Sequence, residues 1–210
     1  MKRLALSVLL PAVLLFASIP AFAADGAKAS AVTPAAAAKY DIDPSHSNVT
    51  FGWNHFGFSN PTARLKTIEG SVLLDKADLT KSSVSVTLPL DGLDTGVAKL
   101  DEHLKSADFF DAAKYPTITF KSSKVEKAGE NGLKITGDLT VHGVTKPVTL
   151  NAKVNKIGLF EMGPFKAQAA GFDAETVIKR SDFGVNKYVP NVSDDIAVRI
   201  TLDAKQAQAK

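Results

Sequence analysis

The sequence of 210 residues contains no cysteine. This absence excludes disulfide bonds, a lipoprotein anchor on an acylated cysteine and metal sites built on thiolates. Catalytic motifs are missing as well: the chain has no G-x-S-x-G elbow, no S-x-x-K, no H-E-x-x-H, no G-x-G-x-x-G and no P-loop. Hydrolase and nucleotide-binding functions therefore lack a local signal, although folding could still bring a nucleophile and a base together.

An excess of charge of one sign is also missing. The formal net charge is +3, and no cluster of Lys and Arg stands out. A nucleic-acid partner and an anionic membrane surface are therefore not indicated. Long apolar runs are confined to residues 4–19, a stretch of 16 residues that Pro11 interrupts and that is short for a membrane span. The sequence thus predicts no stable membrane insertion.

The N-terminus has the pattern of an export signal. Lys2 and Arg3 precede the apolar run, and a small-x-small cleavage site ends at Ala23. We therefore expect residues 1–23 to be a signal peptide cleaved after Ala23, with an uncleaved anchor as the rival interpretation. Without Lys2 and Arg3 the net charge of +3 falls to +1. The style of signal and the lack of disulfides favour a bacterial periplasm, and the Ala-rich residues 24–39 predict a flexible linker.

Residues 132–150 carry the clearest secondary-structure pattern. Apolar side chains alternate with polar ones, which is the period of a β-strand with one buried face. The apolar row consists of Leu133, Ile135, Leu139 and Val141. Gly137 interrupts this row and indicates a bend or bulge. His142-Gly143 predicts the turn, and Pro147, which cannot donate to a ladder, belongs at the start or edge of the next strand. The stretch therefore predicts a β-hairpin.

The same alternation recurs along most of the chain and predicts about eight strands. The inner rows that it assigns outside the first strand of the hairpin are Val49, Phe51, Trp53 and His55; Ile68, Val72 and Leu74; Val84, Val86, Leu88 and Leu90; Ile118 and Phe120; Val148, Leu150, Ala152 and Val154; Phe172, Ala174, Thr176 and Ile178; and Ile196, Val198, Ile200 and Leu202. Eight short strands favour an all-β antiparallel sandwich or closed barrel. One segment differs, because residues 96–106 carry apolar side chains at helical spacing and predict a short helix capped by Asp94 or Thr95.

Several stretches together resemble the YceI family, bacterial proteins related to polyisoprenoid-binding lipocalin-like barrels. They are YDIDPSHSNVTF at residues 40–51, HFG at 55–57, DEHLKSADFFDAAKYPTITF at 101–120, GDLTVHGVTKPV at 137–148 and RSDFG at 180–184. The resemblance implies an eight-stranded antiparallel up-and-down lipocalin-like barrel over residues 40–204, with one long lipophilic chain in a pore along its axis. Residues 58–66 depart from the family pattern, being more polar and longer than its usual link. The residues alone leave a filled and a hollow barrel open, since eight strands can enclose either.

In the hollow barrel that the resemblance implies, side chains on the inner face and at one end form the candidate ligand-binding set. The set comprises Phe51, Trp53, Val86, Leu88, His103, Phe109, Phe110, Ile118, Phe120, Leu139, Val141 and Arg180. Phe109 and Phe110 either gate the mouth or cap the barrel as core. His103 either meets the polar end of a ligand or makes a structural hydrogen bond. Arg180 either pairs with a phosphate or polar headgroup, or forms an ion pair with Asp182 or Asp101.

Metal and cofactor sites have little support in the sequence. The four histidines are His46, His55, His103 and His142, and none has the i, i+2 or i, i+4 partner of a compact metal site. His46 and His142 lie next to turns, where a ring nitrogen can satisfy the backbone. We therefore expect no cofactor and no catalytic or metal centre, with a metal site assembled across the fold as the less favoured alternative.

Four functions fit these observations. The first is a periplasmic protein that sequesters or carries a long isoprenoid lipid, such as a quinone tail or a prenyl phosphate, with homodimer formation left open. The second is a stress protein that binds fatty acids or amides broadly. The third is an enzyme acting on a bound lipophile, with His103, Asp101 or Arg180 as candidates. The fourth, a structural or partner-binding domain, predicts a packed barrel without ligand.

Overall fold

The computed structural model describes residues 37–206, so the predicted signal peptide and most of the predicted linker lie outside the described residues. Eleven β-segments follow one another in this range: β1 Ala38–Ile42, β2 Asn48–Gly52, β3 Thr62–Leu65, β4 Glu69–Leu74, β5 Ser83–Pro89, β6 Leu93–Asp94, β7 Thr117–Lys127, β8 Gly132–Val141, β9 Val144–Met162, β10 Phe165–Lys179 and β11 Asp195–Gln206. The helical segments are α1 Ala98–Lys105 and three 3-10 turns at Leu79–Lys81, Leu90–Gly92 and Arg180–Phe183.

These segments form a closed antiparallel barrel of eight strands. The pairs β1 and β2, β3 and β4, and β5 and β6 are each one strand interrupted by a short break, because both members pair with the same neighbouring strands. Each of the eight strands pairs with the next along the chain, and β11 closes the ring by pairing with β1 and β2 as well as with β10. The predicted fold, an eight-stranded up-and-down barrel with a short helix, is confirmed.

The barrel has two different ends. At one end Gly52 faces Ala197, and this upper end carries helix α1 and the loops of residues 53–61 and 180–194. At the lower end Tyr40 faces Gln206, and the β9–β10 hairpin turns there after Met162. The first strand begins at Ala38, so Ala38 and Lys39 of the predicted linker belong to the barrel.

The hairpin pattern in residues 132–150 folds as predicted. Gly137 faces Ser122, next to a register shift in β7 that marks the expected bulge. His142 and Gly143 have φ of 50° and 74°, the backbone of a tight two-residue turn. A Cβ at Gly143 would lie 2.4 Å from the Tyr115 ring, so this close approach requires glycine. Pro147 lies near the start of β9, where pairing with β10 has not yet begun.

The short helix is present, but its predicted cap is wrong. Helix α1 begins after Val97, which has extended backbone geometry and offers no side-chain cap. Asp94 and Thr95 instead brace the turn before the helix: Gly96 donates its N–H to Asp94 Oδ1 at 2.9 Å, and Val97 donates its N–H to Thr95 Oγ1 at 3.2 Å. The cap pattern therefore identified the turn correctly and misplaced the first helical residue.

Apolar side chains close the lower end of the barrel around one buried phenol. Tyr40 is 0 % exposed and packs with Val72, Leu74, Ala170 and Ala204. Within residues 37–206, its hydroxyl group has no hydrogen-bond partner. A buried hydroxyl without a partner costs about 1–3 kcal/mol of desolvation that nothing offsets.

We expect Tyr40→Phe to leave the free energy of unfolding unchanged or to raise it by about 1 kcal/mol, because only the unpaired hydroxyl is removed. Urea denaturation of the two proteins measures the difference. A loss of more than about 1 kcal/mol would show that the hydroxyl has a stabilising partner.

A polar cluster fixes the break between β1 and β2. Lys205 donates to Asp43 Oδ2 at 2.5 Å, and His46 Nδ1 lies 3.0 Å from the same oxygen. The Ser45 hydroxyl also donates to Asp43. His46 thus contacts side chains, and its predicted backbone bond is wrong. Asp43, His46 and Asp203 offer oxygen and nitrogen atoms within 4.8 Å of one another, with the Lys205 ammonium on the Asp43 carboxylate.

These contacts make stability depend on pH. The bond from Lys205 foremost, then those from Ser45 and His46, hold the pKa of the Asp43 carboxyl far below its ordinary value. A lowered folded-state pKa stabilises the protein above the unfolded pKa of about 3.9, and this contribution is lost as the pH falls toward the folded-state pKa.

We therefore expect Asp43→Asn to lower the free energy of unfolding at neutral pH. The free energy of unfolding of this variant should also decrease less steeply as the pH is lowered below about 4. Urea denaturation curves recorded from neutral to acidic pH measure both effects. Glu130→Gln, which removes an exposed carboxylate in the β7–β8 loop, is the control and should leave the pH dependence unchanged. Identical curves for Asp43→Asn and the unsubstituted protein would contradict the expectation.

Candidate functional site

A cavity of about 500 Å³ lies inside the barrel and runs from the upper end to the lower one. Its wall is made almost entirely of apolar side chains that every one of the eight strands contributes. Cavities of about 300–1,000 Å³ are typical of small-molecule sites. The structure therefore shows a hollow barrel, the choice that alternation of residues had left open.

The inner rows predicted from alternation line this cavity, with the exception of Leu90 and Val154. Val86, Phe120 and Leu139 are register neighbours on β5, β7 and β8 and form a band across its middle. Gly137 lies beside this band, where a Cβ would come within 2.6 Å of the Phe120 ring. Because Gly137 has no side chain, the Phe120 ring packs directly against the β8 backbone. The interrupted apolar row thus makes room for an aromatic side chain in the wall.

Aromatic side chains surround the upper part of the cavity. The Phe110 ring meets the Phe51 ring edge-on at 6.1 Å, and Phe51 lies 6.0 Å from Trp53. Phe109 contacts the His103 ring edge-on at 5.0 Å and approaches Tyr188 at 6.3 Å. All are lining residues, and Phe109 and Phe110 also pack against the main core. The two phenylalanines therefore combine the roles of core cap and cavity wall.

Polar groups at this end are engaged with one another. Asp108 accepts from Lys187, and His103 Nε2 lies 3.4 Å from the same carboxylate. The bond from Lys187 foremost lowers the pKa of Asp108, and Asp108 in turn raises the pKa of Lys187. Asp101 accepts from the N–H and hydroxyl of Thr95 at 2.7 and 2.6 Å. His103 and Asp101 therefore have separate structural partners, which matches the structural alternative for His103.

Arg180 has a different environment from either predicted one. Its guanidinium donates to the carbonyl oxygens of Val185 at 2.8 Å, Val192 at 2.9 Å and Ser193 at 2.9 Å. Within the described residues it forms no ion pair, so the predicted pairing with Asp182 or Asp101 is wrong. Burial lowers the pKa of Arg180, partly opposed by the nearby Asp194. Arg180 thus holds the loop of residues 185–193 over the upper end of the barrel.

All twelve residues of the candidate set line this one cavity, and their contact with a ligand stays a prediction. Sequence reasoning missed several others because they lie in loops or helices, where strand alternation gives no signal. They include Phe56, Leu79, Leu100, Leu104, Tyr188 and Val192.

His142 behaves as expected for a residue beside a turn, with Nδ1 3.3 Å from the carbonyl oxygen of Phe183. Of the helices in residues 37–206, none has the length and apolarity needed to cross a membrane.

Comparison with known proteins identifies close relatives of this barrel. The sequence model of one protein family, the YceI-like domain, matches residues 40–204 of this chain. The protein YceI of Escherichia coli O17:K52:H18 is 40 % identical over 174 residues, which cover 82 % of this chain and 89 % of that protein.

Solved structures share the same fold. BcnA of Burkholderia cenocepacia superposes with a TM-score of 0.70 at 28 % identity, over 78 % of this chain and 99 % of BcnA. A polyisoprenoid binding domain from Saccharophagus degradans superposes with a TM-score of 0.63 at 16 % identity, over 80 % of this chain and 98 % of that domain. At 16 % identity the likeness to that domain concerns the fold alone.

Proposed function

Because this chain belongs to the YceI-like family, we propose that it is a binding protein that holds one long isoprenoid lipid inside its barrel. The observation that carries the proposal is the continuous apolar lining of the cavity from one end of the barrel to the other. The description of a related fold as a polyisoprenoid binding domain supports it. Quinone tails and prenyl phosphates are the lipid classes that such a cavity would take.

Hydrocarbon burial supplies the driving force for this binding. At about 0.8 kcal/mol per CH₂, one five-carbon unit offers about 4 kcal/mol before any cost is subtracted. Eight such units would offer about 30 kcal/mol, which exceeds the ceiling of about 20 kcal/mol on noncovalent affinity. The ordering of a flexible chain and the loss of its membrane environment must offset the difference. Selectivity therefore comes from the girth and length of the cavity more than from hydrogen bonds.

The two ends of the cavity suggest the direction of the lipid. The lower part is lined and closed by apolar side chains such as Leu74, Leu79 and Leu133. The upper part is lined by His55 and His103 and by the partly exposed Tyr188. The proposed orientation therefore places the hydrocarbon end at the bottom and the polar headgroup at the top.

The proposed setting is the bacterial periplasm, and the N-terminal export pattern of residues 1–23 supports it. There the protein would sequester an isoprenoid lipid or carry it between membranes. A broader ligand specificity, which includes fatty acids or amides, is the second candidate function, because an apolar cavity can bind any slim hydrocarbon chain.

Mass spectrometry of an organic extract of the purified protein tests the proposal, together with native mass spectrometry of the intact complex. A polyprenyl species in a stoichiometric amount is the expected result. An acyl chain or an amide would favour the second candidate. Absence of lipid, even after incubation with polyprenyl and acyl lipids, would overturn both. Native spectra also report whether the protein is a monomer or a homodimer.

A further inference from the structure

Two neighbouring loops at the upper end lack charged residues. The first belongs to a stretch without Asp, Glu, Lys or Arg that extends over residues 47–63, and the second comprises residues 188–193. We call residues 54–61 and 188–193 together the rim. Among the large hydrophobic side chains with substantial exposure, the rim carries Phe56 at 46 %, Phe58 at 91 %, Tyr188 at 49 % and Val189 at 37 %. Phe58 is the most exposed large hydrophobic residue in the described part of the chain.

The rim is an ordered surface, held together by hydrogen bonds within and between its loops. Three backbone bonds run from His55 N–H to the Ser59 carbonyl at 2.8 Å, from Phe56 N–H to the Asn191 carbonyl at 2.7 Å and from Phe58 N–H to the His55 carbonyl at 2.9 Å. In addition, Gly57 donates its N–H to the side-chain oxygen Asn54 Oδ1 at 2.7 Å. With these donors already paired, little backbone desolvation opposes contact with an apolar phase. The loop therefore presents the exposed Phe58 side chain from a backbone that is held by hydrogen bonds.

The rim is continuous with the cavity. His55, Phe56, Tyr188 and Val192 belong to the rim and also line the cavity. Hydrocarbon that passes from a bilayer along these side chains would reach the barrel interior without crossing water. This continuity selects a bilayer as the partner, because a protein partner on the rim would cover the entrance through which the lipid passes.

A second group of exposed apolar residues lies on the β9–β10 hairpin at the lower end. It comprises Leu159, Met162 and Phe165. The charged side chains of Glu161 and Lys166 lie within this hairpin and pair beside the group, whereas the two loops of the rim contain no charged residue of their own and meet the Lys187–Asp108 ion pair only at Tyr188. Its position at the opposite end of the barrel makes it a matched control for the rim.

We propose that the rim is a membrane-docking surface, which rests on a lipid bilayer with Phe58 and Phe56 in the boundary between headgroups and acyl chains. Aromatic side chains favour that boundary. The inference rests on the proposed lipid-binding function and adds the surface through which lipid is exchanged. Since the rim has no Lys or Arg, docking should not require anionic lipid and should be insensitive to salt.

Flotation with phosphatidylcholine vesicles tests this proposal, using protein expressed from the 210-residue sequence. We expect the protein to float with the vesicles at low and high salt alike. Phe58→Ser should weaken partitioning by about tenfold to a hundredfold, the effect of exposing one buried phenylalanine ring. Met162→Ser, which removes an exposed apolar side chain at the other end, should leave partitioning unchanged.

A fluorescence measurement gives an independent reading of the same contact. Phe58→Trp should show a blue shift of its emission when vesicles are added, whereas Met162→Trp should not. Equal partitioning of Phe58→Ser and the unsubstituted protein would overturn the proposal. Self-association that Phe58→Ser abolishes, without vesicle binding, would also overturn it and assign the rim to a contact between copies.

The lipid content of each purified variant separates this proposal from the proposed function. Unchanged cavity lipid in protein that fails to bind vesicles would refute docking and leave lipid binding intact. If the purified unsubstituted protein contains no cavity lipid, the proposed lipid binding itself would be refuted.

Discussion

Val86→Arg should abolish retention of the proposed cavity lipid while leaving the barrel folded. Val86 lies on the inner face of β5, in the band formed with Phe120 and Leu139 across the middle of the cavity. A guanidinium placed there would meet hydrocarbon on all sides when the lipid is bound. An unpaired buried charge costs several kcal/mol, which corresponds to a loss of affinity on the order of a thousandfold.

The neighbouring residue provides the control for this substitution. Ser85 is exposed on the outer face of the same strand, so Ser85→Arg adds the same charge to β5 outside the cavity. We expect Ser85→Arg to retain lipid at the level of the unsubstituted protein. Lipid retention is measured by native mass spectrometry, and circular dichroism with limited proteolysis checks the fold of both variants.

Leu139→Arg repeats the test from the opposite side of the band. If Val86→Arg proves unfolded, Leu139→Arg still places a charge in the same layer of the cavity. A folded variant that carries an inward arginine and still retains its lipid would contradict the proposal that the lipid lies inside the barrel. Loss of lipid from Ser85→Arg as well would show that charge anywhere on β5 disturbs binding.

Strand alternation predicted the wall of the cavity well, because the side-chain period of a strand assigns each residue to one face. Leu133, Leu139 and Val141 on β8 and Ile196 and Val198 on β11 line the cavity as their spacing indicated. Assignment to a face does not show what fills the space behind it. Whether the eight strands enclose side chains or a cavity depends on the packing of all rows together, which local alternation does not report.

The features that sequence reasoning missed depend on contacts between distant segments. At the breaks between β1 and β2, β3 and β4, and β5 and β6, the row of inward side chains moves between odd and even positions, as from Leu65 to Ile68 and from Leu90 to Leu93. Tyr188 and Leu79 reach the cavity from irregular segments that carry no periodic signal. Residues 58–61 of the rim belong to the link at residues 58–66 that departs from the family pattern, but that departure was one of polarity and length and did not indicate an exposed aromatic surface.

Arg180 illustrates why residue type alone assigns a wrong partner. An arginine near acidic residues suggested an ion pair, yet its three nitrogens donate to the carbonyl oxygens of Val185, Val192 and Ser193. Those carbonyls lie within a loop that follows Arg180 in the chain, and nothing in their side chains marks them as acceptors. The guanidinium therefore acts as a fixed fork that closes this loop over the upper end of the barrel.

We expect Arg180→Ala and Arg180→Lys to be destabilising to a similar extent, by about 3 kcal/mol or more, because both leave buried carbonyl groups without donors. Lysine keeps the charge but concentrates its donors on one nitrogen, which cannot reach three diverging acceptors. Urea denaturation measures the loss, and Arg199→Lys on the exposed face of β11 is the control that should change little. If Arg180 instead serves as a cation for a lipid headgroup, Arg180→Lys should keep both its stability and its affinity for prenyl phosphate. Loss of stability in Arg180→Lys, with the loop of residues 185–193 newly open to protease, would assign the residue to the architecture of the entrance.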